Sequence, residues 1–178
     1  MKIAISGTPC TGKTKISKLL SKKLKCRLIP INEFAEELDA FVGYDRKMES
    51  RILDLDKLKK EVKKIKEDFI LEGHTSHLFS LDLVIVLRCN PEILKERLER
   101  RYPNNRLKVQ ENLEVEILGV ITSEAVMINK KVYEIDTSKA TIEESVNNIM
   151  KILEGKTRNF NVGRINWLEK YYDLIELS

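Results

Sequence analysis

The most informative stretch of this chain is Gly7–Thr14, which reads GTPCTGKT. It matches the phosphate-binding pattern G-x-x-x-x-G-K-[ST] at every specified position. The run KIAIS at residues 2–6 precedes it and is typical of a short buried strand, and after it apolar residues recur at helical spacing from Ile16 onward. A strand, a glycine-bounded loop and a helix in this order are the context in which the pattern holds phosphate. The alternative is a glycine turn that matches by chance, and these flanking elements disfavour it.

The residue types of this loop suit a triphosphate. Gly7 and Gly12 leave room for backbone N–H groups to approach phosphate oxygens, and the following helix directs its positive end toward the anion. Lys13 supplies a mobile positive charge for the β and γ oxygens. The hydroxyl of Thr14 is a hard-oxygen ligand suited to Mg²⁺. The sequence therefore predicts a protein that binds a nucleoside triphosphate with Mg²⁺.

Size and composition predict one cytoplasmic domain. The 178 residues are enough for a single α/β domain over 1–178, with 34% charged and 6% aromatic residues. The net charge of +4 permits contact with RNA or an acidic partner without implying either. Three cysteines without metal-ligand spacing predict free thiols in a reducing compartment. Neither a signal peptide nor an apolar run of about 20 residues is present, so we expect no membrane span.

Apolar runs predict five strands, at residues 2–6, 27–29, 69–71, 83–87 and 132–135. Because they alternate with helical patterns, we expect a three-layer α/β/α fold with a five-stranded parallel sheet and ligands at the carboxyl ends of the strands. Asn90-Pro91 and the capping box Thr141-x-x-Glu144 predict helix starts.

Other segments carry weaker signals. Asn32 is a candidate cap of a helix that reaches Phe41, and residues 42–51 have no clean period and are predicted to form a mobile or substrate-facing loop. A long helix is predicted over about 109–129. A C-terminal amphipathic helix is predicted over about 164–177, with packing on the domain as its default role and partner docking as the alternative.

The second candidate site is Leu71-Glu72-Gly73-His74, directly after an apolar strand. A carboxylate at this position, Glu72, is placed to hold the Mg²⁺ shell or to orient a water. His74 would point into the phosphate region and position a nucleophile or exchange a proton. The alternative is that these residues cap the strand, and His77 is predicted to be structural.

The third candidate site is a basic cluster around a short polar stretch, formed by Arg100, Arg101, Arg106 and Lys108. Arginines that close over a phosphoryl group can stabilise its developing charge and exclude water, so the pattern favours a lid. A solvated basic helix end is the alternative. Arg88, at the end of the fourth strand, is a further candidate to face the nucleotide.

These residues resemble a known family. The combination of motifs closely resembles the adenylate kinase isoenzyme 6 family, small P-loop nucleoside monophosphate kinases also known as small-subunit ribosome biogenesis factors. The motifs occur in the family's order up to about Leu153, and they are GTPCTGKT, GYD at Gly43–Asp45, ILDLD at Ile52–Asp56, LEGH, VIVLRC, RLERRY and ENLEVEI. The resemblance is specific, because shikimate kinases and ordinary adenylate kinases lack the histidine two residues after the strand-end carboxylate.

The resemblance implies a P-loop nucleoside monophosphate kinase fold with a monophosphate-binding region at about 30–51 and a lid at about 100–110. It implies Mg²⁺-dependent conversion of ATP and AMP to two ADP with broad acceptor specificity, beside ATPase activity. It also implies a small-subunit ribosomal protein as partner, and through it pre-ribosomal RNA in late rRNA maturation. The implied ATP contacts are Gly7, Cys10, Gly12, Lys13, Thr14, Lys15, the lid residue Arg101 and, near the adenine, Lys139; the implied catalytic residues are Lys13, Glu72, His74 and Arg101, and the implied metal ligands are Thr14 and Glu72.

Three positions depart from the family pattern. Cys10 replaces the usual glycine and needs an accommodating backbone; its thiol is either acidified and oxidisable or packed and inert. Glu72 stands where many members have aspartate. The helix predicted after Asn32 lacks a phosphate-gripping arginine, so Arg46 or Arg51 is expected to take that role. Two hypotheses follow: a monophosphate kinase, or an ATP-switched ribosome assembly factor with little kinase activity.

Overall fold

A five-stranded parallel sheet forms the centre of the protein, as seen in a computed structural model that describes residues 1–175. Its strand order is β2-β5-β1-β6-β7, and a separate antiparallel pair is formed by β3 and β4. The strands are β1 Lys2–Gly7, β2 Arg27–Pro30, β3 Phe41–Asp45, β4 Ser50–Leu53, β5 Phe69–Glu72, β6 Leu83–Arg88 and β7 Val132–Asp136. The prediction of a five-stranded parallel sheet is confirmed.

Helices cover both faces of this sheet. They are α1 Lys13–Leu24, α2 Ile31–Glu37, α3 Leu55–Lys64, α4 Pro91–Arg101, α5 Arg106–Leu118, α6 Val120–Ile128, α7 Ile142–Leu153 and α8 Leu168–Tyr171, with short 3₁₀ turns at Ser76–Leu78 and Tyr172–Leu174. Successive residues of β1 point to opposite faces, as the strand period requires. Ile3 and Ile5 pack in a core with α1 and α7, whereas Ala4 packs with α6. The three-layer α/β/α architecture follows from this alternation.

Two of the three predicted helix caps are present. The side chain of Asn90 accepts hydrogen bonds from the backbone N–H groups of Glu92 and Ile93 and starts α4. Thr141 and Glu144 form a reciprocal capping box at the start of α7. In contrast, α2 begins at Ile31 after Pro30, so the predicted Asn32 cap is wrong. Pro30 already ends β2, and its extended backbone leads directly into the helix.

The predicted loop at 42–51 is instead mostly a β-hairpin. Strands β3 and β4 pair antiparallel with Tyr44 opposite Arg51, and a register shift lies between Phe41 and Gly43. Asp45 closes the turn, because its carboxylate accepts hydrogen bonds from the backbone N–H groups of the two residues Lys47 and Met48. All residues of these two strands are exposed or half-buried, so no alternation of apolar and polar residues marked them in the sequence.

Two predicted helices are shorter than expected. The helix predicted over 109–129 is divided at Gly119, which has φ 64° and lies against the Arg88 guanidinium. The C-terminal helix predicted over 164–177 is α8, from Leu168 to Tyr171, followed by a 3₁₀ turn; residues 176–177 of that prediction lie outside the described residues. The segment before α8 is held in a non-helical form by a bridge between Asn161 and Tyr133.

Across residues 1–175, no helix combines the length and apolar character needed to cross a membrane.

Candidate active site

The P-loop lies at the carboxyl edge of the sheet, between β1 and α1. Gly7 has φ 138°, and a Cβ there would lie 2.4 Å from the carbonyl oxygen of Leu87 on the neighbouring strand. Gly12 has φ 95° and precedes α1 as its N-cap residue. Side chains at these two positions would clash or strain the backbone, so the loop requires glycine for the reason that the motif predicted.

Lys13 is buried inside this loop, with 9% of its surface exposed. Its ammonium donates to the carbonyl oxygens of Gly7 and Thr8, each at 2.8 Å. Burial lowers the pKa of Lys13 to about 8, and the charge of Glu72 opposes this shift. A buried cation with only carbonyl partners gains most from an incoming anion, so the position favours phosphate binding.

Cys10 adopts the left-handed backbone conformation with φ 70°, which is the accommodation that its replacement of glycine required. Its thiol contacts the carbonyl oxygen of Arg97 at 3.7 Å, and the Arg97 guanidinium donates to the Cys10 carbonyl at 3.3 Å. The half-buried side chain packs against the apolar cluster that contains Cys89 and Leu94. These contacts favour the packed alternative for this thiol. Sequence reasoning gave Arg97 no role at the P-loop, which its side chain contacts from α4.

Glu72 and Thr14 meet beside the P-loop. The Thr14 hydroxyl lies 3.4 Å from the Glu72 carboxylate, which is 8% exposed. Burial raises the pKa of the Glu72 carboxyl, whereas the Lys13 charge and the Thr14 hydrogen bond act in the opposite direction. The described residues contain no cluster of three or more His, Cys, Asp or Glu side chains that could hold a metal. Two hard oxygens nevertheless fit Mg²⁺, which takes one or two protein ligands and completes its shell with water and phosphate.

The turn after Glu72 brings His74 to the same edge of the sheet. A Cβ at Gly73, where φ is 159°, would lie 2.2 Å from Ile31 Cγ2, so the turn requires glycine. His74 is exposed to solvent as a residue, but the surrounding protein partly desolvates its ring. This desolvation, with the nearby charge of Lys13, lowers the pKa of His74 to about 4. His74 is therefore neutral at pH 7.

His77 is part of the hydrogen-bond network that stabilises the turn containing His74. It is 2% exposed, and its ring nitrogens contact the Ser6 hydroxyl at 2.9 Å and the Glu124 carboxylate at 2.8 Å. The Ser6 hydroxyl also donates to the carbonyl oxygen of His74 at 3.0 Å. These contacts agree with the structural role predicted for His77.

A cavity of about 490 Å³ opens beside His74. It is lined by Asn32, Glu36, Phe41, Ser50, Arg51, Ile52, Leu53, Leu55, His74 and Thr75. The Arg51 guanidinium stacks over the Phe41 ring at 3.3 Å and pairs with Glu36 at 3.0 Å. Arg46, the other candidate for gripping a phosphate, lies in the hairpin turn and is absent from the lining formed by the described residues. Sequence reasoning missed Asn32 and Glu36 as lining residues, because the helical pattern of α2 gave no sign of which face meets the hairpin.

The predicted lid region joins α4 to α5. The Tyr102 ring has two cations nearby, Arg101 and Lys108, whose charged groups are 5.6 Å and 4.6 Å from its centroid. The charge of Arg101 acts on Lys13, and the charge of Lys108 acts on His74, so both cations lie near the P-loop and the cavity. Arg100 instead faces an exposed partner, Glu96, at 3.7 Å. Arg106 begins α5 and is exposed.

The remaining candidates lie in three different environments. Lys15 is exposed in the first turn of α1, and Lys139 is exposed in the loop after β7. The prediction that Arg88 faces the nucleotide is wrong: it is 3% exposed and forms buried ion pairs with Glu116 and Glu134. An arginine at a strand end can turn inward wherever two carboxylates neutralise it, and the sequence did not reveal these distant partners.

The fold and this loop are those found in P-loop kinases, and solved structures share the fold. Shikimate kinase from Acinetobacter baumannii in complex with shikimate superimposes with a TM-score of 0.60 at 14% identity, covering 87% of this chain and 93% of that one. The YorR protein from Bacillus subtilis in complex with phosphorylated GDP has a TM-score of 0.58 at 16% identity, covering 88% and 97%. Deoxyadenosine kinase from M. mycoides has a TM-score of 0.54 at 18% identity, covering 87% and 100%. At these identities the likeness concerns the fold.

Sequence comparisons identify the family. A family model described as an AAA domain matches residues 3–119. A protein of Methanocaldococcus jannaschii named "Putative adenylate kinase" is 43% identical over 100% of this chain and 99% of its own length. A protein of the same name from Methanococcus maripaludis is 41% identical over 99% of this chain and 100% of its own length. The chain belongs to the family of these archaeal proteins, which confirms the resemblance to the adenylate kinase isoenzyme 6 family.

Proposed function

We propose that this protein is a Mg²⁺-dependent nucleoside monophosphate kinase that converts ATP and AMP to two ADP and accepts other monophosphates. The observation that carries the proposal is the cavity of about 490 Å³ next to the P-loop. A protein that only binds or hydrolyses ATP needs no second pocket, whereas a kinase needs one for the acceptor. His74 lines this cavity, and the charge of Lys13 contributes to the pKa shift of His74, so the cavity and the P-loop adjoin. The name of the archaeal relatives supports the same activity.

The donor site is assigned to the P-loop. Backbone N–H groups from Gly7 to Thr14 hold the triphosphate, and Lys13 exchanges its two carbonyl partners for phosphate oxygens. Arg101 approaches the same phosphates from the lid. Lys15 is exposed in the first turn of α1, directly after the loop, and the resemblance implies that Lys139 lies near the adenine.

Thr14 and Glu72 are the residues that would hold Mg²⁺, Thr14 directly and Glu72 directly or through water. When bound, the ion neutralises charge on the transferred phosphoryl group. Burial raises the pKa of Glu72 above its ordinary value, but the charge of Lys13 and the Thr14 hydrogen bond favour the ionised form that a metal requires.

The acceptor site is assigned to the cavity. Arg51 is the cation in position to bind the acceptor phosphate, and its stacking on Phe41 fixes the plane of the guanidinium. His74 is neutral at pH 7 and can therefore accept a hydrogen bond from the acceptor or from a water. Phosphoryl transfer forms no covalent enzyme intermediate, so this chain contributes mainly by positioning the substrates and stabilising charge.

The direct test measures nucleoside diphosphate formation with ATP and each monophosphate in turn, alongside phosphate release without acceptor. We expect diphosphate formation to exceed hydrolysis with AMP. Lys13→Ala should abolish both activities, because the loop loses its buried cation, whereas Lys22→Ala on the exposed end of α1 should leave both unchanged. Retained turnover in the Lys13 variant would show that the site is misassigned. If no nucleoside diphosphate forms beyond the amount expected from ATP hydrolysis, the proposed kinase activity is contradicted.

An ATP-switched assembly factor is the second candidate, and the resemblance implies ATPase activity, a small-subunit ribosomal protein and pre-ribosomal RNA. One surface favours a protein partner: three consecutive apolar residues of α6, Val126, Met127 and Ile128, are 47%, 85% and 40% exposed. Capture of small-subunit ribosomal proteins with and without ATP tests this candidate. If no small-subunit ribosomal protein is captured either with or without ATP, the result would argue against an assembly factor.

A further inference from the structure

One buried carboxylate, that of Glu116 on α5, joins four hydrogen-bond donors from three separate segments. Its Oε1 accepts from Arg88 Nε at 2.7 Å, from the backbone N–H of Cys89 at 3.1 Å and from the indole N–H of Trp167 at 3.2 Å. Its Oε2 accepts from the hydroxyl of Thr8 at 2.6 Å. Glu116 is only 2% exposed, so these contacts replace its hydration.

Thr8 links this carboxylate to the P-loop through a hydrogen bond. The same residue that donates its hydroxyl to Glu116 accepts the Lys13 ammonium on its carbonyl oxygen at 2.8 Å. Its position is therefore set from two sides, by the phosphate-binding lysine and by a residue of α5. A shift of the Glu116 carboxylate would move Thr8 and with it one of the two oxygens that hold Lys13.

The third segment is residues 156–175, which we call the C-terminal strap. The backbone N–H of Glu134 on β7 donates to the Phe160 carbonyl at 2.8 Å, and the backbone N–H of Gly163 donates to the Glu134 carboxylate at 3.1 Å. Further along, the side-chain amide of Asn90 donates to the Tyr171 hydroxyl. The strap is thus attached to the sheet at one end and beside the start of α4 at the other, with Trp167 between them.

We propose that the C-terminal strap is coupled to ATP binding through Glu116, which acts as a positioning residue for the P-loop. When the strap is docked, Trp167 completes the hydrogen bonds of Glu116, and the carboxylate holds Thr8 where its carbonyl oxygen orients Lys13. When the strap leaves, Oε1 loses a donor in a buried site and the carboxylate reorganises around Arg88. Coupling of this kind is reciprocal, so ATP binding also strengthens strap docking.

The first experiment needs no nucleotide and starts from the P-loop end. Trp167 is the single tryptophan of the chain, so its emission reports the docked strap. Thr8→Val removes the hydroxyl that donates to Glu116 and keeps the shape of the side chain. It should shift the Trp167 emission toward that of a solvated indole and raise the rate of proteolysis within 156–175. Thr8→Ser keeps the hydroxyl and should restore wild-type emission and cleavage.

The second experiment starts from the strap end and measures ATP affinity by calorimetry. Trp167→Phe keeps an aromatic ring without the N–H donor, and Tyr171→Phe removes the hydroxyl that accepts from Asn90. Each should weaken ATP binding by about 5- to 10-fold, toward the low end of allosteric coupling. Tyr172→Phe is the matched control, since Tyr172 is 56% exposed. Circular dichroism establishes that each variant is folded.

The inference rests on the proposed function only in naming ATP as the ligand, and the two can fail separately. If the wild-type protein binds no ATP, the proposed function fails, but the response of Trp167 to Thr8→Val still decides whether strap and P-loop are coupled. An unchanged emission and cleavage rate in folded Thr8→Val would overturn the coupling. Wild-type ATP affinity in folded Trp167→Phe would overturn it as well.

Discussion

Asn105 in the loop between α4 and α5 donates its side-chain amide to the carbonyl oxygen of Lys47 in the β3–β4 turn, at 3.1 Å. The other end of the same side chain accepts from the backbone N–H of Lys108 and caps α5. One asparagine thus links the predicted lid to the predicted monophosphate-binding hairpin. We infer that contact between these regions covers the cleft between P-loop and cavity and helps to exclude water from the proposed phosphoryl transfer.

We expect Asn105→Asp to increase ATP hydrolysis relative to transfer. Aspartate keeps the acceptor that caps α5 but lacks the N–H donor to Lys47, so the cleft closes less firmly. A neutral hydrogen bond contributes about 0.5–1.5 kcal/mol, which corresponds to a change of roughly 2- to 10-fold in the ratio of phosphate release to diphosphate formation. Asn104→Asp makes the same substitution at the exposed neighbour and should leave the ratio unchanged. Equal ratios in both variants would show that this contact does not govern closure.

Arg51→Ala should raise the KM for the monophosphate by at least about tenfold, since a charge-assisted contact to phosphate contributes about 1.5–3 kcal/mol. The KM for ATP should not change, because Arg51 lines the cavity and not the P-loop. Arg46→Ala is the natural control, as the same substitution in the hairpin turn five residues away. Initial-rate kinetics with both substrates varied would measure the effects. A larger effect at Arg46 would reassign the phosphate grip.

ATP affinity should fall as pH rises above about 8. Burial lowers the pKa of Lys13 to about 8 in the free protein, and bound phosphate would raise it again. Below that pH Lys13 is charged in both the free and the ATP-bound protein and adds no pH dependence. Above it, Lys13 must take up a proton when ATP binds, so the ATP affinity declines by up to about tenfold per pH unit. Calorimetry in buffers of different ionisation enthalpy would detect this proton uptake.

Lys13→Arg provides the control for this pH profile, because arginine stays protonated throughout the range. Its ATP affinity should be lower than that of the wild type at pH 7 but flat between pH 7 and 9.5, a range of about 2.5 units around the titration of Lys13. A flat profile in the wild-type protein would mean that Lys13 remains charged in the free loop.

Cys10→Gly should give a more stable protein than Cys10→Ala, by about 1 kcal/mol. Both substitutions remove the thiol and its contact with Arg97, so they differ mainly in the Cβ that alanine keeps at φ 70°. The left-handed conformation costs a non-glycine residue about 1–2 kcal/mol, and the greater entropy of unfolded glycine offsets part of this. Urea unfolding with equal m-values would measure the difference. Greater stability of the alanine variant would show that the loop relaxes around residue 10.

Features that depend on local physical chemistry were predictable. The two glycines of the P-loop, the caps at Asn90 and Thr141, and the buried strands all follow from backbone conformations or periodicities that a few adjacent residues encode. Glu72 was predictable for the same reason, because it lies at the end of a buried strand that adjacent residues encode. The requirement for glycine at position 73 is different, because the Cβ there would meet the distant residue Ile31.

Features that depend on partners distant in the chain were not predictable from the sequence. Arg88 ends a strand at the ligand-binding edge, yet its charge is neutralised inside the protein by Glu116 and Glu134, which are 28 and 46 residues away. Our proposal that Arg51 rather than Arg46 binds the acceptor phosphate also depended on the fold of the hairpin, which places Arg51 in the cavity lining and beside Glu36 of α2.

The P-loop itself illustrates both cases. Its eight residues encode a phosphate cradle in their own backbone preferences, and those preferences hold wherever the loop is placed. Its attachment to Glu116 and through it to Trp167, 51 residues further along the chain, exists only because parallel strands and their crossover helices bring these segments together. Local sequence encodes conformation, whereas the pairing of buried charges depends on which surfaces the completed sheet and helices bring into contact.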